Sequence, residues 1–176
     1  PDYFLTFGNY WKGQHFGMAE ERTICIGWAY GKYMARIASG QQNSEEAILV
    51  ISSPEISDFI LDAVEMLHKW DPSVKFHIRL HPCETYNEHQ IEKLSKIPQA
   101  KVVDNSNDSA KVLPRYSHVV GENSSVLYEA LSLGCKVGLL NICGLRPPVD
   151  KHGIASSFSI INDVNDYGRF VRRKNH

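Results

Sequence analysis

Apolar runs alternate along the chain with amphipathic segments, and this alternation predicts strands followed by helices. Residues 47–52 (AILVIS) are an unbroken apolar run, typical of a strand in the middle of a parallel sheet, where both faces are covered. Ser53 and Pro54 are typical of a helix start, and apolar side chains then recur at helical spacing over residues 56–67. Residues 74–80 alternate between apolar and polar side chains, which predicts the next strand.

The same order of elements continues along the rest of the chain. Further strands are predicted at residues 3–7, 23–27, 101–103, 117–121, 136–142 and 157–161, and further helices at 32–38, 88–97, 108–116, 125–133 and 164–173. Residues 9–19 fit a helix or a loop, while residues 40–46 and 143–155 are predicted to be loops. Repeated β-α-β units predict an α/β fold with an open, doubly wound parallel sheet, Rossmann-like and layered α/β/α.

Composition narrows the classes of protein to consider. With 176 residues, 43% of them hydrophobic and 22% charged, the chain is expected to form one soluble globular domain. A net charge of -1 and the lack of a basic tract argue against a nucleic-acid partner. No apolar run reaches the ~18 residues of a membrane helix, and no segment of the given sequence has the pattern expected of a signal peptide. The spacing of Cys25, Cys83, Cys135 and Cys143 favours free thiols over a zinc site.

A short polar turn, Asn123-Ser124-Ser125, lies between the predicted strand 117–121 and an apolar helix. The first N–H groups of a helix have no intrahelical acceptor, and the helix dipole adds partial positive charge, so such a turn can bind a phosphate. A helix cap alone would also explain a serine or asparagine there. Three small polar residues at a strand end favour the phosphate site.

Glu129 lies one helical turn after Ser125, on the same face of a helix that is apolar on most other sides. A carboxylate in a mostly buried helix needs a partner. One alternative is an arginine, for which Arg79, Arg115 and Arg146 are the candidates. The other, which we favour, is the pair of vicinal hydroxyls of a ribose. A phosphate turn next to a sugar-binding carboxylate predicts a nucleotide site.

His81 and Pro82 stand at the end of the predicted strand 74–80. The proline stops the strand and directs the imidazole toward the crevice in which doubly wound sheets bind ligands. A histidine there can donate a hydrogen bond to a phosphate and stabilise a leaving nucleotide, although a loop histidine bonded to backbone is the alternative. Glu84 is interpreted as a solvated loop residue, because one histidine and one glutamate are too few ligands for zinc.

The remaining candidates also follow predicted strands. Ser52 is a candidate ligand contact that helix capping would explain equally well, and Gly27 either admits a ligand close to the backbone or ends a strand. Arg146 and Lys151 either reach a diphosphate or stay solvated. A nucleophile elbow, a Walker loop and a GxGxxG motif are all missing from the sequence, which disfavours hydrolase, NTPase and dehydrogenase functions.

Together, His81-Pro82 and the Asn123-Ser124-Ser125 turn with Glu129 resemble the C-terminal, donor-nucleotide-binding half of GT-B-fold glycosyltransferases. The resemblance is nearest to bacterial surface-polysaccharide enzymes, such as capsule polysialyltransferases and teichoic-acid glycerophosphate polymerases, whose His-Pro and Ser-Ser motifs bind the donor phosphate. It implies that His81, Ser124 and Ser125 contact phosphate. The same run is similar to the Gly-Gly…Glu segment of non-hydrolysing UDP-sugar 2-epimerases, in which Glu129 would be the ribose-binding glutamate.

This resemblance implies a glycosyltransferase for bacterial capsule or lipopolysaccharide synthesis, with His81 acting on the leaving nucleotide. Residues 1–20 resemble the crossover from a missing N-terminal domain that would carry the acceptor site and the general base, so the chain is expected to be inactive alone. Residues 21–176 are then the nucleotide-binding domain. The expected partner is a CMP-, CDP- or UDP-linked donor, without a cofactor or metal. The expected location is cytoplasmic, with peripheral membrane association through the missing part as an option.

Two alternatives accompany this interpretation. Within enzymes, the chain would belong to a CDP-linked glycerophosphate or sugar-phosphate transferase, or to a UDP-sugar 2-epimerase-like enzyme. From another class, it would be a noncatalytic α/β binding module, which the fold alone does not exclude.

Overall fold

Six parallel strands form the central sheet in the computed structural model of the chain, which describes residues 2–6, 8, 19–38, 44–147 and 157–172. The strands are β1 (Phe4–Thr6), β2 (Thr23–Cys25), β3 (Glu45–Ile51), β4 (Lys75–Arg79), β5 (Ala100–Val103), β6 (Tyr116–Gly121), β7 (Lys136–Leu140) and β8 (Ser159–Ile161). The helices are α1 (Ala29–Ala38), α2 (Ser57–Trp70), α3 (Glu88–Ser95), α4 (Ser109–Val112), α5 (Ser125–Ser132) and α6 (Val164–Val171).

The strand order of the large sheet is β5-β4-β3-β6-β7-β8, and every neighbouring pair is parallel. The chain winds from β3 to one edge through β4 and β5, and then returns to the other side of β3 through β6, β7 and β8. The order therefore reverses between β3 and β6. The predicted doubly wound, Rossmann-like sheet is confirmed.

The two faces of β3 bury side chains in two separate cores. Ile48 and Val50 contribute to the core that α2 and α6 cover. Leu49 and Ile51 contribute to the opposite core, which residues of α1, α4 and α5 complete. Because successive side chains of a strand alternate between faces, a continuous apolar run is what a strand between two helical layers requires.

The first two strands pair with each other rather than with the central sheet. Phe4 pairs with Thr23 and Thr6 with Cys25, in a separate two-stranded parallel sheet. The predicted strands 3–7 and 23–27 are therefore present in shortened form. Their separation from the large sheet is a feature of tertiary pairing that local periodicity does not reveal.

Three local predictions are corrected by the structure. Strand β3 already begins at Glu45, within the segment predicted as a loop. Ser53 makes no side-chain cap, and a 3-10 turn at Pro54–Ile56 separates it from α2. Phe59 belongs to the predicted apolar stripe of α2 and is nevertheless 45% exposed.

Other predictions concern residues outside the described ranges. These are the segment of uncertain structure up to residue 18, the loop at 40–43, and residues 148–156, which include Lys151. Within the ranges that the structure describes, no helix combines the length and the apolar character needed to cross a membrane.

Gly138 in β7 occupies a place with no room for a side chain. A Cβ there would lie 2.8 Å from Ile161 Cδ1 and 3.1 Å from Val120 Cγ1. We expect Gly138→Ala to lower the free energy of unfolding, measured by urea denaturation, by about 1–3 kcal/mol, the usual cost of overpacking a core.

Gly168 in α6 supplies the matched control, because a Cβ there would meet no described atom within 4 Å. Gly168→Ala is expected to leave stability unchanged or to raise it by up to ~1 kcal/mol through helix propensity. Equal stability of the two variants would contradict the tight packing assigned to β7.

Candidate functional site

The carboxyl ends of β4, β3 and β6 lie side by side at one edge of the sheet. Ile51 of β3 pairs with Arg79 of β4, and a Cβ on Gly121 of β6 would lie 3.2 Å from the Ile51 carbonyl oxygen. Neighbouring strands are about 4.8 Å apart, so the ends of β4 and β6 are about 10 Å apart across β3. Doubly wound sheets have their ligand crevice at such a reversal of strand order, here between β3 and β6.

On one side of this crevice, the polar turn leads into α5. The Ser124 hydroxyl accepts a hydrogen bond from the Val126 N–H at 3.3 Å, so Ser124 is the N-cap of the helix. Asn123 and Ser125 are exposed, while Leu127 anchors the helix in the core. Capping thus accounts for one of the three polar residues, and the two on either side of it remain accessible to a ligand.

On the other side, His81 and Pro82 begin a tight turn after β4, and both are exposed. The Cys83 N–H donates to His81 Nδ1 at 3.2 Å. The Asn105 amide donates to the carbonyl oxygens of Leu80 and His81, at 3.4 Å each. The histidine therefore lies at the carboxyl edge of the sheet, as its sequence position predicts. The hydrogen bonds from Cys83 and Asn105 hold the turn that carries it.

The interpretation of Glu84 as a solvated residue is wrong. Its side chain is 6% exposed, and its Oε1 accepts hydrogen bonds from the hydroxyls of Ser52 at 2.7 Å and Ser57 at 2.6 Å. Its Oε2 accepts from the His81 N–H at 2.9 Å. Buried carboxylates need such donors, which here come from three separate elements. Ser52 is itself 4% exposed, so its hydroxyl serves Glu84 rather than the open crevice.

Glu129 is half-buried on the α5 side of the sheet, and burial raises the pKa of its carboxyl. The nearby Asp108 carboxylate raises this pKa further, whereas the Ser109 hydroxyl and the Arg79 guanidinium oppose the rise. Glu129 Oε2 is covered and accepts no hydrogen bond from any described residue. The carboxylate can therefore accept a further hydrogen bond at Oε2.

Arg79 is the arginine that lies near Glu129, out of the three that the sequence suggests. Its Nη2 donates to the Asn107 carbonyl at 2.6 Å, and its buried Nη1 has no acceptor among the described residues. Arg115 instead forms an ion pair with Glu45. Burial lowers the pKa of Arg79, and the Glu129 charge opposes this effect.

Two other predicted positions have local explanations. Gly27 has a φ of +74°, in the left-handed region that favours glycine, and follows β2 of the small sheet rather than a strand of the large one. In the loop after β7, the Arg146 backbone N–H donates to Glu122 Oε1 at 2.7 Å, which ties that loop to the end of β6. Among the described residues, no group of three or more His, Cys, Asp or Glu side chains could hold a metal ion.

No family model and no curated protein matches the chain. Several solved structures match it in fold. The UDP-GlcNAc 2-epimerase from Methanocaldococcus jannaschii matches with a TM-score of 0.63 and 10% identity, over 99% of this chain and 56% of that chain. The UDP-GlcNAc 2-epimerase from Neisseria meningitidis, bound to UDP-GlcNAc, matches with a TM-score of 0.56 and 14% identity, over 94% and 50%.

A variant of the wall teichoic acid polymerase TagF matches with a TM-score of 0.50 and 17% identity, over 96% of this chain and 47% of that chain. These three neighbours have the GT-B fold, and the chain spans about half the length of each. At such low identities the likeness establishes the fold. The chain is an α/β domain of the Rossmann-like kind that GT-B enzymes contain.

The raised pKa of Glu129 predicts a specific dependence of stability on pH. A carboxyl whose pKa is raised by folding contributes stability below its ordinary pKa, and this contribution is lost as the pH rises through the folded-state value. Because glutamine stays neutral, Glu129→Gln is expected to gain stability relative to the parent as the pH increases from about 4 to about 7. Urea denaturation at a series of pH values measures this difference.

Glu92→Gln is the control of opposite sign, since the Lys96 ammonium lowers the pKa of Glu92. The Glu92 carboxylate therefore stabilises the fold above the ordinary pKa of glutamate, and this stabilisation is lost as the pH falls. The variant should therefore lose a little stability near neutral pH and none in acid. If the difference in stability between Glu129→Gln and the parent does not change with pH, the assignment of an uncompensated charge to Glu129 is wrong.

Proposed function

We propose that this chain binds the nucleotide part of an activated donor in a bacterial enzyme that builds surface polysaccharide, most simply a glycosyltransferase. The observation that carries the proposal is the pair of polar segments at the strand-order reversal. The exposed His81 turn lies on one side of β3, and the exposed Asn123 and Ser125 around the start of α5 lie on the other.

These two segments have the chemistry of a phosphate site. The start of α5 offers the partial positive charge of the helix dipole and the exposed Ser125 hydroxyl. His81 has its Nδ1 occupied by the Cys83 N–H, which leaves Nε2 to donate across the crevice. Donors fixed in place before reaction stabilise the negative charge that develops on a leaving nucleotide, and we assign this role to His81.

The nucleoside is proposed to lie toward Glu129. A ribose hydroxyl is a donor for the carboxylate, whose Oε2 lacks one, and an acceptor for Arg79 Nη1, which lacks an acceptor among the described residues. Both atoms are covered, so binding at this position includes a side-chain rotation. A phosphate at the start of α5 and a ribose one helical turn further along would follow the spacing from Ser125 to Glu129.

The neighbouring structures support a nucleotide-linked sugar or polyol as the donor. One of them is bound to UDP-GlcNAc, and another is a teichoic acid polymerase. A UDP-sugar 2-epimerase-like enzyme is the second candidate, favoured by TM-scores of 0.63 and 0.56 against 0.50 for the polymerase. For the glycosyltransferase, we propose that the acceptor site and the general base belong to a second α/β domain. For either candidate, we propose that the enzyme acts on the cytoplasmic side of the membrane.

The proposal predicts which residues respond to nucleotides. Titration of the ¹⁵N-labelled chain with CMP, CDP, UDP and GDP is expected to shift the NMR signals of Ser124, Ser125 and His81. Ser125→Asp is expected to abolish this response, because its carboxylate repels phosphate, while stabilising α5 by about 0.3–1 kcal/mol through the helix dipole. Loss of binding together with a gain in stability would show that the substitution removes a binding site and does not disrupt the fold.

Ser132→Asp, at the opposite end of α5, adds the same charge and is expected to keep nucleotide binding. If the folded parent chain binds none of the four nucleotides at millimolar concentration, the proposal fails and a noncatalytic α/β binding module becomes the better interpretation.

The assignment of ribose to Glu129 is tested by comparing two ligands. Glu129→Ala is expected to weaken binding of the nucleotide about tenfold, as the loss of a hydrogen bond to a charged group would, and to leave inorganic phosphate binding nearly unchanged. Isothermal titration calorimetry measures both affinities, with the exposed Glu92→Ala as the control. Equal weakening of the two ligands would exclude a ribose contact.

A further inference from the structure

A single buried carboxylate closes the turn that carries His81. Glu84 Oε2 accepts from the His81 N–H at 2.9 Å, and the Glu84 N–H donates to the His81 carbonyl at 2.8 Å. Residues 81–84 thus form a ring of two reciprocal hydrogen bonds. The same side chain reaches, through Oε1, the hydroxyls of Ser52 after β3 and of Ser57 at the start of α2.

This arrangement fixes the turn to the rigid part of the molecule. Ser52 follows the central strand, and Ser57 is 4% exposed at the first position of a long helix. Side chains that hold a ligand-binding group from behind are effective when they are themselves locked by burial and hydrogen bonds. Among the described residues, the donors to Glu84 are two hydroxyls and one backbone N–H, all neutral, so hydrogen bonds rather than an ion pair hold its carboxylate.

The shape of the turn also determines where the imidazole carries its proton. The Cys83 N–H points at His81 Nδ1, at 3.2 Å. In the neutral ring one nitrogen is a donor and the other an acceptor, so acceptance at Nδ1 leaves the proton on Nε2. An exposed Nε2–H is the form that can donate to a phosphate oxygen without a change in protonation.

We propose that Glu84 is the positioning residue of His81: it holds the turn at residues 81–84 in the shape that directs the Cys83 N–H to Nδ1 and so presents Nε2–H at the crevice. The link to phosphate rests on the proposed function. The link between Glu84 and the tautomer of His81 does not, and it is measurable without any ligand.

Two conservative variants separate geometry from charge. Glu84→Gln has the same length and no charge, and its amide can accept from the His81 N–H and donate to the serine oxygens. Glu84→Asp keeps the charge and is one methylene shorter, so it cannot span the serine hydroxyls and the His81 N–H together. If Glu84 acts by position, Gln should behave like the parent and Asp should not.

The tautomer is read from the imidazole ¹⁵N signals of His81 in the labelled chain. The parent and Glu84→Gln are expected to show the Nε2–H form, whereas Glu84→Asp should show both tautomers and bind inorganic phosphate about tenfold more weakly. A parent-like tautomer in Glu84→Asp, or a Gln variant that resembles the Asp variant, would overturn the proposal. Thermal denaturation confirms that each variant is folded before it is compared.

The matched control is Ser57→Ala, which removes one donor from Oε1 and leaves the bond to the His81 N–H in place. It is expected to keep the parent tautomer, and a mixed tautomer in this variant would overturn the assignment to the His81 side of the carboxylate. If the parent binds no phosphate or nucleotide while the tautomers follow the expected pattern, the proposed function fails and the positioning role of Glu84 stands.

Discussion

The reversal of strand order beside β3 is the constraint on which the rest of the molecule depends. A strand that is apolar on both faces lies at the centre of the six, with β4 on one side and β6 on the other. The chain leaves β3 and β6 in opposite directions, and doubly wound sheets bind ligands at the carboxyl ends of strands that meet in this way. The His81 turn and the start of α5 are brought together because each follows a strand that pairs with β3.

Two carboxylates at this edge of the sheet differ in how fully hydrogen bonds compensate their burial. Glu84 is buried and receives hydrogen bonds on both oxygens from three different residues. Glu129 is less buried, yet one of its oxygens has no donor among the described residues, and burial raises the pKa of its carboxyl. A carboxylate with all its donors acts as part of the scaffold. A carboxylate that lacks a donor can gain a hydrogen bond from a ligand. We therefore assign Glu84 to the scaffold and propose Glu129 as a ligand-binding residue.

Much of this site is visible in the sequence because its signals are local. A polar turn after a buried strand and a His-Pro pair at a strand end each depend on adjacent residues, and both are at the sheet edge that they predict. Glu84 is missed because its serine partners are 32 and 27 positions away, so no spacing reveals them. The exposure of Phe59 is missed for a similar reason, since helical spacing shows which residues share a face but not how far the covering layer extends.

By itself, the sequence determined the order of strands and helices, the central place of the most apolar strand and the polar residues at the strand ends. These follow from side-chain periodicity and from the backbone preferences of proline, serine and glycine, which act over a few residues. Only the tertiary structure decided that β1 and β2 form their own sheet, that Arg79 lies near Glu129, and that Glu84 is buried under His81. These are contacts between distant segments, and they exist only after the layers have packed.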